Sequence, residues 1–72
     1  MDGTMTRIAD VDMLNGTTIL FLDTDIPDAS WNRLVIDGKK YEPIPVYDIE
    51  KTVAVKGGNF SKGQEVRFIY ER

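Results

Sequence analysis

Apolar and polar residues alternate most clearly in the segment 31–42, on both sides of Asp37-Gly38. A two-residue turn that matches the twist of its strands needs positive φ at both central positions, which Gly adopts without steric cost and Asp tolerates. The pattern therefore predicts a β-hairpin with Asp37-Gly38 at its tip. Its expected cross-strand pairs are Leu34 with Tyr41, Val35 with Lys40 and Ile36 with Lys39.

The two faces of this hairpin differ in composition, because side chains alternate sides along a strand. Leu34, Ile36 and Tyr41 share one face, which is the better candidate for the core. The opposite face mixes aromatic, aliphatic and charged residues: Trp31, Arg33, Val35, Lys40 and Glu42. Because Trp and Arg are enriched at the energetic centres of protein interfaces, we predict a binding surface of Trp31, Arg33, Val35 and Lys40. For Trp31 itself a place in the core or at the rim of the barrel is the favoured alternative, since aromatic residues dominate cores.

A second hairpin is predicted around Asn15-Gly16, the strongest two-residue hairpin pattern. Its expected pairs are Leu14 with Thr17, Met13 with Thr18 and Val11 with Leu20. A short helix over residues 8–14 is the alternative, because apolar residues recur every three positions from Ile8 and Asn15-Gly16 suits a helix C-cap. The hairpin is favoured because Asp10 and Asp12 alternate with apolar neighbours.

Turn-forming residues divide the rest of the chain into short segments. Residues 23–30 form a loop by composition. Ile44 lies between Pro43 and Pro45, which cannot donate to a sheet ladder, so we expect an edge strand or a bend out of the sheet there. Residues 52–56 and 65–70 are rich in β-branched and aromatic residues and are predicted strands.

About five to six short strands without a long helix predict an all-β fold. A flat meander of these strands would expose an apolar face and two edges, whereas a closed barrel removes both problems. We therefore predict a meander that closes into a small SH3-like or OB-like barrel. Residues 1–7 lack periodicity and are predicted to be a disordered N-terminal segment, which leaves residues 8–72 as a single small β domain.

The composition excludes several kinds of chemistry. The 72 residues contain no cysteine, which excludes disulfides and thiolate zinc sites, and no histidine, the usual general base near neutral pH. No nucleophile motif compensates, so we expect neither enzyme activity nor a cofactor. The longest apolar run, Ile19 to Leu22, is far too short to span a bilayer, and no secretion signature is visible. A cytoplasmic location without membrane association is expected.

Charge is unevenly distributed along the chain, whose net charge is −3. Residues 1–30 contain six acidic residues and one basic residue, a net charge of −5, whereas residues 31–72 contain six acidic and eight basic residues, a net charge of +2. Most such charges simply lie in water, but an acidic end and a mildly basic end can steer a partner.

One loop collects three carboxylates, which hard cations such as Ca²⁺ prefer: Asp23, Asp25 and Asp28. The EF-hand pattern requires Gly at its sixth position and Glu at its twelfth, whereas these positions are Asp28 and Leu34 here. The loop is therefore expected to be a solvated acidic turn, with a calcium site of another type as the alternative.

These features favour a non-enzymatic protein-interaction module, such as a small accessory protein of a bacterial or phage assembly, that binds a protein partner or a second copy of itself. One alternative is an acidic inhibitor that imitates the charge of nucleic acid. Another is a barrel that binds single-stranded nucleic acid through aromatic platforms and basic grooves. Nucleic acid is the less expected partner, because such binders usually have a clear basic footprint and this chain is acidic.

Overall fold

The computed structural model describes residues 5–27, 30–44, 46 and 49–72. Within these residues the chain forms six strands of one antiparallel sheet, which confirms the predicted all-β fold. The strands are β1 (Met5–Leu14), β2 (Thr17–Leu22), β3 (Arg33–Ile36), β4 (Lys39–Tyr41), β5 (Thr52–Lys56) and β6 (Glu65–Ile69). The described ranges contain no helix that is long and apolar enough to cross a membrane.

Both predicted two-residue turns are present. Asp37 and Gly38 have φ angles of 58° and 80°, and they connect β3 to β4 in the predicted register. Asn15-Gly16 connects β1 to β2, and all three predicted pairs are formed. The hairpin prediction for residues 8–14 is therefore confirmed, and the helix alternative is wrong.

Strand β1 contains a β-bulge near its middle. The register with β2 shifts between Ile8 and Asp10, which leaves Ala9 as the extra residue. A bulge adds one residue to one strand and so resets the alternation of side chains. Ile8 and Val11 therefore both pack in or against the core although they are three residues apart. The bulge, and not a helical turn, accounts for the helix-like spacing of these apolar residues.

Strand β1 also begins earlier than the sequence predicts. Met5, Thr6 and Arg7 pair with β6. Thr6 is buried, and its hydroxyl accepts a hydrogen bond from the Thr24 hydroxyl at 2.8 Å. The predicted disorder of residues 1–7 is thus corrected for residues 5–7, because pairing with a strand distant in sequence orders them. Residues 1–4 lie outside the described residues.

The strand order is β4-β3-β6-β1-β2-β5, so the predicted meander is wrong. The last strand, β6, lies between β3 and β1 and not at an edge. In this central position Val66 and Phe68 are almost completely buried. Strand β1 makes this order possible, because its ten residues pair with β6 at the beginning and with β2 over the remainder.

The two edge strands, β4 and β5, share no ladder within the described residues, so the sheet is open between them. Among the described residues, one isolated bridge crosses this gap. The N–H of Ile44, three residues beyond β4, donates to the carbonyl oxygen of Ala54 in β5 at 2.7 Å. Ile44 thus forms an isolated bridge outside the six strands, and the neighbouring Pro45 lies outside the described residues.

The core lies on the inner side of the sheet and draws on five of the six strands. Its buried members are Ile8, Leu20, Leu22, Leu34, Ile36, Val53, Val55, Val66 and Phe68. The predicted core residues Leu34 and Ile36 are among them. Tyr41 packs at the margin, where its ring meets the ring of Phe60 edge-on with the centroids 5.2 Å apart. The sheet has two halves, one formed by β3, β4, β6 and the start of β1, the other by β2, β5 and the remainder of β1. Both halves pack their inner sides on this one core.

Candidate binding surface

The outer side of β3, β4 and β6 is where most of the predicted surface residues meet. Cross-strand pairing aligns four side chains in one row across the sheet: Lys40, Val35, Arg67 and Met5. Arg33 and Ile69 form the neighbouring pair. We call these six residues the basic face. It contains three of the four predicted surface residues, Arg33, Val35 and Lys40.

Trp31, the fourth predicted residue, lies on the other side of the sheet. Its ring is half-buried and meets the ring of the core residue Phe68 edge-on, with the centroids 4.9 Å apart. The grouping of Trp31 with Arg33 is therefore wrong, and the alternative that packs it against the core is correct. Because β3 begins only at Arg33, the strand alternation used to place Trp31 does not extend back to residue 31.

Trp31 instead forms one wall of an apolar groove of about 330 Å³. The other lining residues are Ile26, Pro43, Ile44, Val46, Thr52 and Val53. The hydroxyl of Thr52 already donates to the carbonyl oxygen of Glu50 at 2.7 Å. The groove thus offers mainly apolar contact, and its side-chain polar groups are the indole N–H of Trp31 and the hydroxyl of Thr52.

Ion pairs hold the edge of the basic face. Arg33 approaches the carboxylates of Glu42 and Glu71, with N–O distances of 3.5 and 3.9 Å. Lys40 donates a hydrogen bond to Glu71. This hydrogen bond and the positive charge of Lys40, with a smaller contribution from Arg33, lower the pKa of Glu71 below its ordinary value. Glu71 is therefore ionised at neutral pH and neutralises part of the positive charge nearby.

Asn32 fixes the position of Glu71. Its side-chain amide donates to the carbonyl oxygen of Glu71 at 2.5 Å and accepts from the N–H of Glu71 at 2.7 Å. The backbone N–H of Asn32 donates to the carbonyl oxygen of Ile69 at 2.9 Å. The Asn32 side chain thus continues the contact between the β3 and β6 segments beyond the last strand pair, Arg33 with Ile69. Sequence reasoning missed this contact, because its partners are 39 residues apart.

Arg67 lies near the centre of the basic face without a carboxylate partner. Among the residues that the structure describes, no carboxylate oxygen lies within 4 Å of its guanidinium, whereas the nearby Arg7 pairs with Glu65 at 3.2 Å. A shallow groove of about 400 Å³ adjoins Arg67. It is also lined by Val35, Asp37, Gly38, Gln64 and Glu65. The guanidinium of Arg67 is thus exposed beside an aliphatic side chain.

Arg67 was absent from the predicted surface, although one local pattern pointed to it. Alternation in the last strand places Arg67 on the side opposite Val66 and Phe68, hence away from the core. That Arg67 lies beside Val35 follows only from the pairing of β6 with β3, which no local pattern indicates.

The predicted acidic loop is described only in part. Asp23 and Asp25 are exposed, whereas Asp28 lies outside the described residues. The N–H of Asp23 donates to the carbonyl oxygen of Arg7 at 3.0 Å, which ties the start of the loop to β1. Across the described part of the chain, no three acidic side chains cluster closely enough to hold a metal ion.

The chemistry of the basic face suits binding. A guanidinium can donate two parallel hydrogen bonds to one carboxylate, and the aliphatic residues around it can bury apolar surface of a partner.

Comparison with protein-family models, with curated proteins and with solved structures found no match to this chain.

Proposed function

We propose that this protein is a non-enzymatic interaction domain that binds a protein partner through its basic face. The observation that carries the proposal is the exposed guanidinium of Arg67, which lies between Val35 and Met5 in one row of the sheet and has no carboxylate within 4 Å among the described residues. Arg beside apolar side chains is the composition found at the energetic centres of interfaces.

The surroundings of Arg67 indicate the chemistry of the partner. Arg33 and Lys40 already share the carboxylate of Glu71, so they contribute less to a new ion pair. Arg67 has no such competitor. The best complement is therefore a carboxylate next to an apolar side chain. Such a contact combines a directional charge pair with apolar burial, and its formation should weaken as salt screens the charges.

The finer fold prediction, a small SH3-like or OB-like barrel, stays part of this proposal. The bridge from Ile44 to Ala54 supports it, because it brings the chain that leaves one edge strand next to the other edge strand. A closed sheet would leave the two outer surfaces as the available binding areas and remove the unpaired edges that promote aggregation.

The test is affinity capture from the source organism, with quantitative mass spectrometry of wild type against Arg67→Glu. We expect the specific partner to be depleted at least about tenfold, since a like charge would face its carboxylate. Lys56→Glu is the matched control, because it makes the same charge change at an exposed residue in β5. It should retain the partner. Equal capture by all three proteins would refute the proposal.

An acidic inhibitor is the second candidate, and one observation favours it. Asp10 and Asp12 on β1 and Asp23 and Asp25 in the loop that follows β2 are all exposed. For such an inhibitor the double change Asp10→Asn with Asp12→Asn should abolish binding, whereas Arg67→Glu should leave it intact. The same capture experiment with this variant therefore separates the two functions. Single-strand binding loses its main support, because Trp31 does not share a face with Arg33 and Lys40.

A further inference from the structure

A second surface of charged and apolar residues lies on the outer side of β1 and β2. Pairing between the two strands places Asp10 next to Phe21 and Asp12 next to Ile19. Leu14, at the strand end, is 61% exposed. We call Asp10, Asp12, Leu14, Ile19 and Phe21 the acidic face. Its apolar residues lie outside the core cluster, and Ile19 and Phe21 are partly exposed.

The two faces have complementary composition. Each contains three apolar side chains, namely Met5, Val35 and Ile69 on the basic face and Leu14, Ile19 and Phe21 on the acidic face. Arg67 at the centre of one face has no ion-pair partner within the described residues, and neither does Asp12 on the other. The carboxylate of Asp12 accepts a hydrogen bond from the N–H of Met13 at 2.9 Å.

One molecule cannot bring its own two faces together. The inner sides of both halves of the sheet pack on one core, with Leu20 and Val55 from one half and Leu34 and Phe68 from the other. Strand β1 passes from one half to the other and is bulged at the transition. The basic and acidic faces therefore lie on the outer sides of different halves of the sheet, and the described residues do not bring them together.

We propose that the basic face of one copy binds the acidic face of a second copy, head to tail. This inference rests on the proposed function, since it names the partner of the basic face. In the contact Asp12 pairs with Arg67 of the next copy, and the six apolar residues bury one another. Because such an interface is not self-complementary, a pair of copies still has one basic and one acidic face uncovered. Further copies can therefore add, which gives open chains or, where the two ends meet, closed rings.

The experiment is sedimentation velocity of the full chain between about 10 µM and about 1 mM, a range that covers weak association. At low salt the weight-average mass should rise at least twofold and fall back as salt is added. Asp12→Lys and Arg67→Glu should each stay at the mass of one chain, because like charges then meet. An equimolar mixture of the two variants should associate again, since every contact between unlike copies has opposite charges.

Asp25→Lys and Lys56→Glu are matched controls that make the same charge changes outside both faces, and both should associate like the wild type. A wild-type chain that stays monomeric over the whole range would overturn the inference. Association that survives both face variants, or a mixture that stays monomeric, would equally refute the head-to-tail contact. A monomeric wild type that still captures another protein through Arg67 would refute self-association alone and leave the proposed function standing.

Discussion

At the scale of single residues, the contact between Gly58 and Phe60 shows how little room there is in the loop between β5 and β6. A Cβ at Gly58 would lie 2.5 Å from Cε2 of Phe60, whose ring packs edge-on against Tyr41. The φ angle of Gly58 is +88°, which side chains rarely tolerate. Only a residue without a side chain allows the ring of Phe60 to close this end of the core.

Gly58→Ala should therefore destabilise the protein more than Gly57→Ala. Both residues have positive φ, which costs a residue with a Cβ about 1–2 kcal/mol. A Cβ at Gly57 meets no atom within 4 Å, whereas one at Gly58 must displace Phe60 and should cost about 1–3 kcal/mol more. Urea denaturation measures both losses. Equal losses, with unchanged ring-proton shifts of Phe60, would show that the contact contributes nothing.

Residue positions were predictable where strand alternation applies and failed where it stops. Leu34 and Ile36 face the core, and Val35 and Lys40 share the outer side, as the hairpin pattern predicts. Trp31 precedes the strand, so its direction depends on its contact with Phe68, 37 positions away in the chain. No local pattern contains that information.

At the scale of elements, both hairpins followed from turn chemistry, because two adjacent residues determine the register of the strands they join. The bulge in β1 could not be predicted from the sequence. Apolar residues three apart fit a helix and a bulged strand equally well, and only pairing with β2 distinguishes them. Where an element depends on its partner, composition alone leaves the alternatives open.

The bridge at Ile44 predicts a specific pattern of amide exchange. The N–H of Ile44 donates to Ala54, and one such bond contributes about 0.5–1.5 kcal/mol. We expect the Ile44 amide to exchange more slowly than that of the exposed Asn59, and faster than that of the buried Leu20. Hydrogen exchange followed by NMR, corrected for intrinsic rates, measures all three. An Ile44 amide as fast as that of Asn59 would remove the support for barrel closure.

At the scale of the whole molecule, the strand order was the part that sequence could not provide. A meander is the simplest way to connect short strands, yet β6 inserts between β3 and β1. That choice buries Val66 and Phe68 on the inner side of a central strand, whereas an edge strand would bury them less well. It also places Arg67 beside Val35, so the centre of the basic face exists only because of this topology.

The shared core also predicts that the molecule unfolds as one unit. Neither half of the sheet can bury its apolar residues alone, since β1 pairs with strands of both halves. Far-UV circular dichroism and Trp31 fluorescence should therefore show one common urea midpoint, as in two-state unfolding. Leu20→Ala, in the half remote from β3, should lower that midpoint in both signals and cost about 2–5 kcal/mol.

Ile19→Ala is the matched control for this prediction, because it truncates the neighbouring residue of β2 on the outer side of the sheet. Ile19 is only partly buried and lies outside the core cluster, so the loss should be about 1 kcal/mol. Fluorescence of Trp31 reports the half that contains Phe68, so it responds to Leu20 only if the core transmits the loss. A Trp31 midpoint unchanged by Leu20→Ala, while the dichroism midpoint falls, would show that the halves unfold independently.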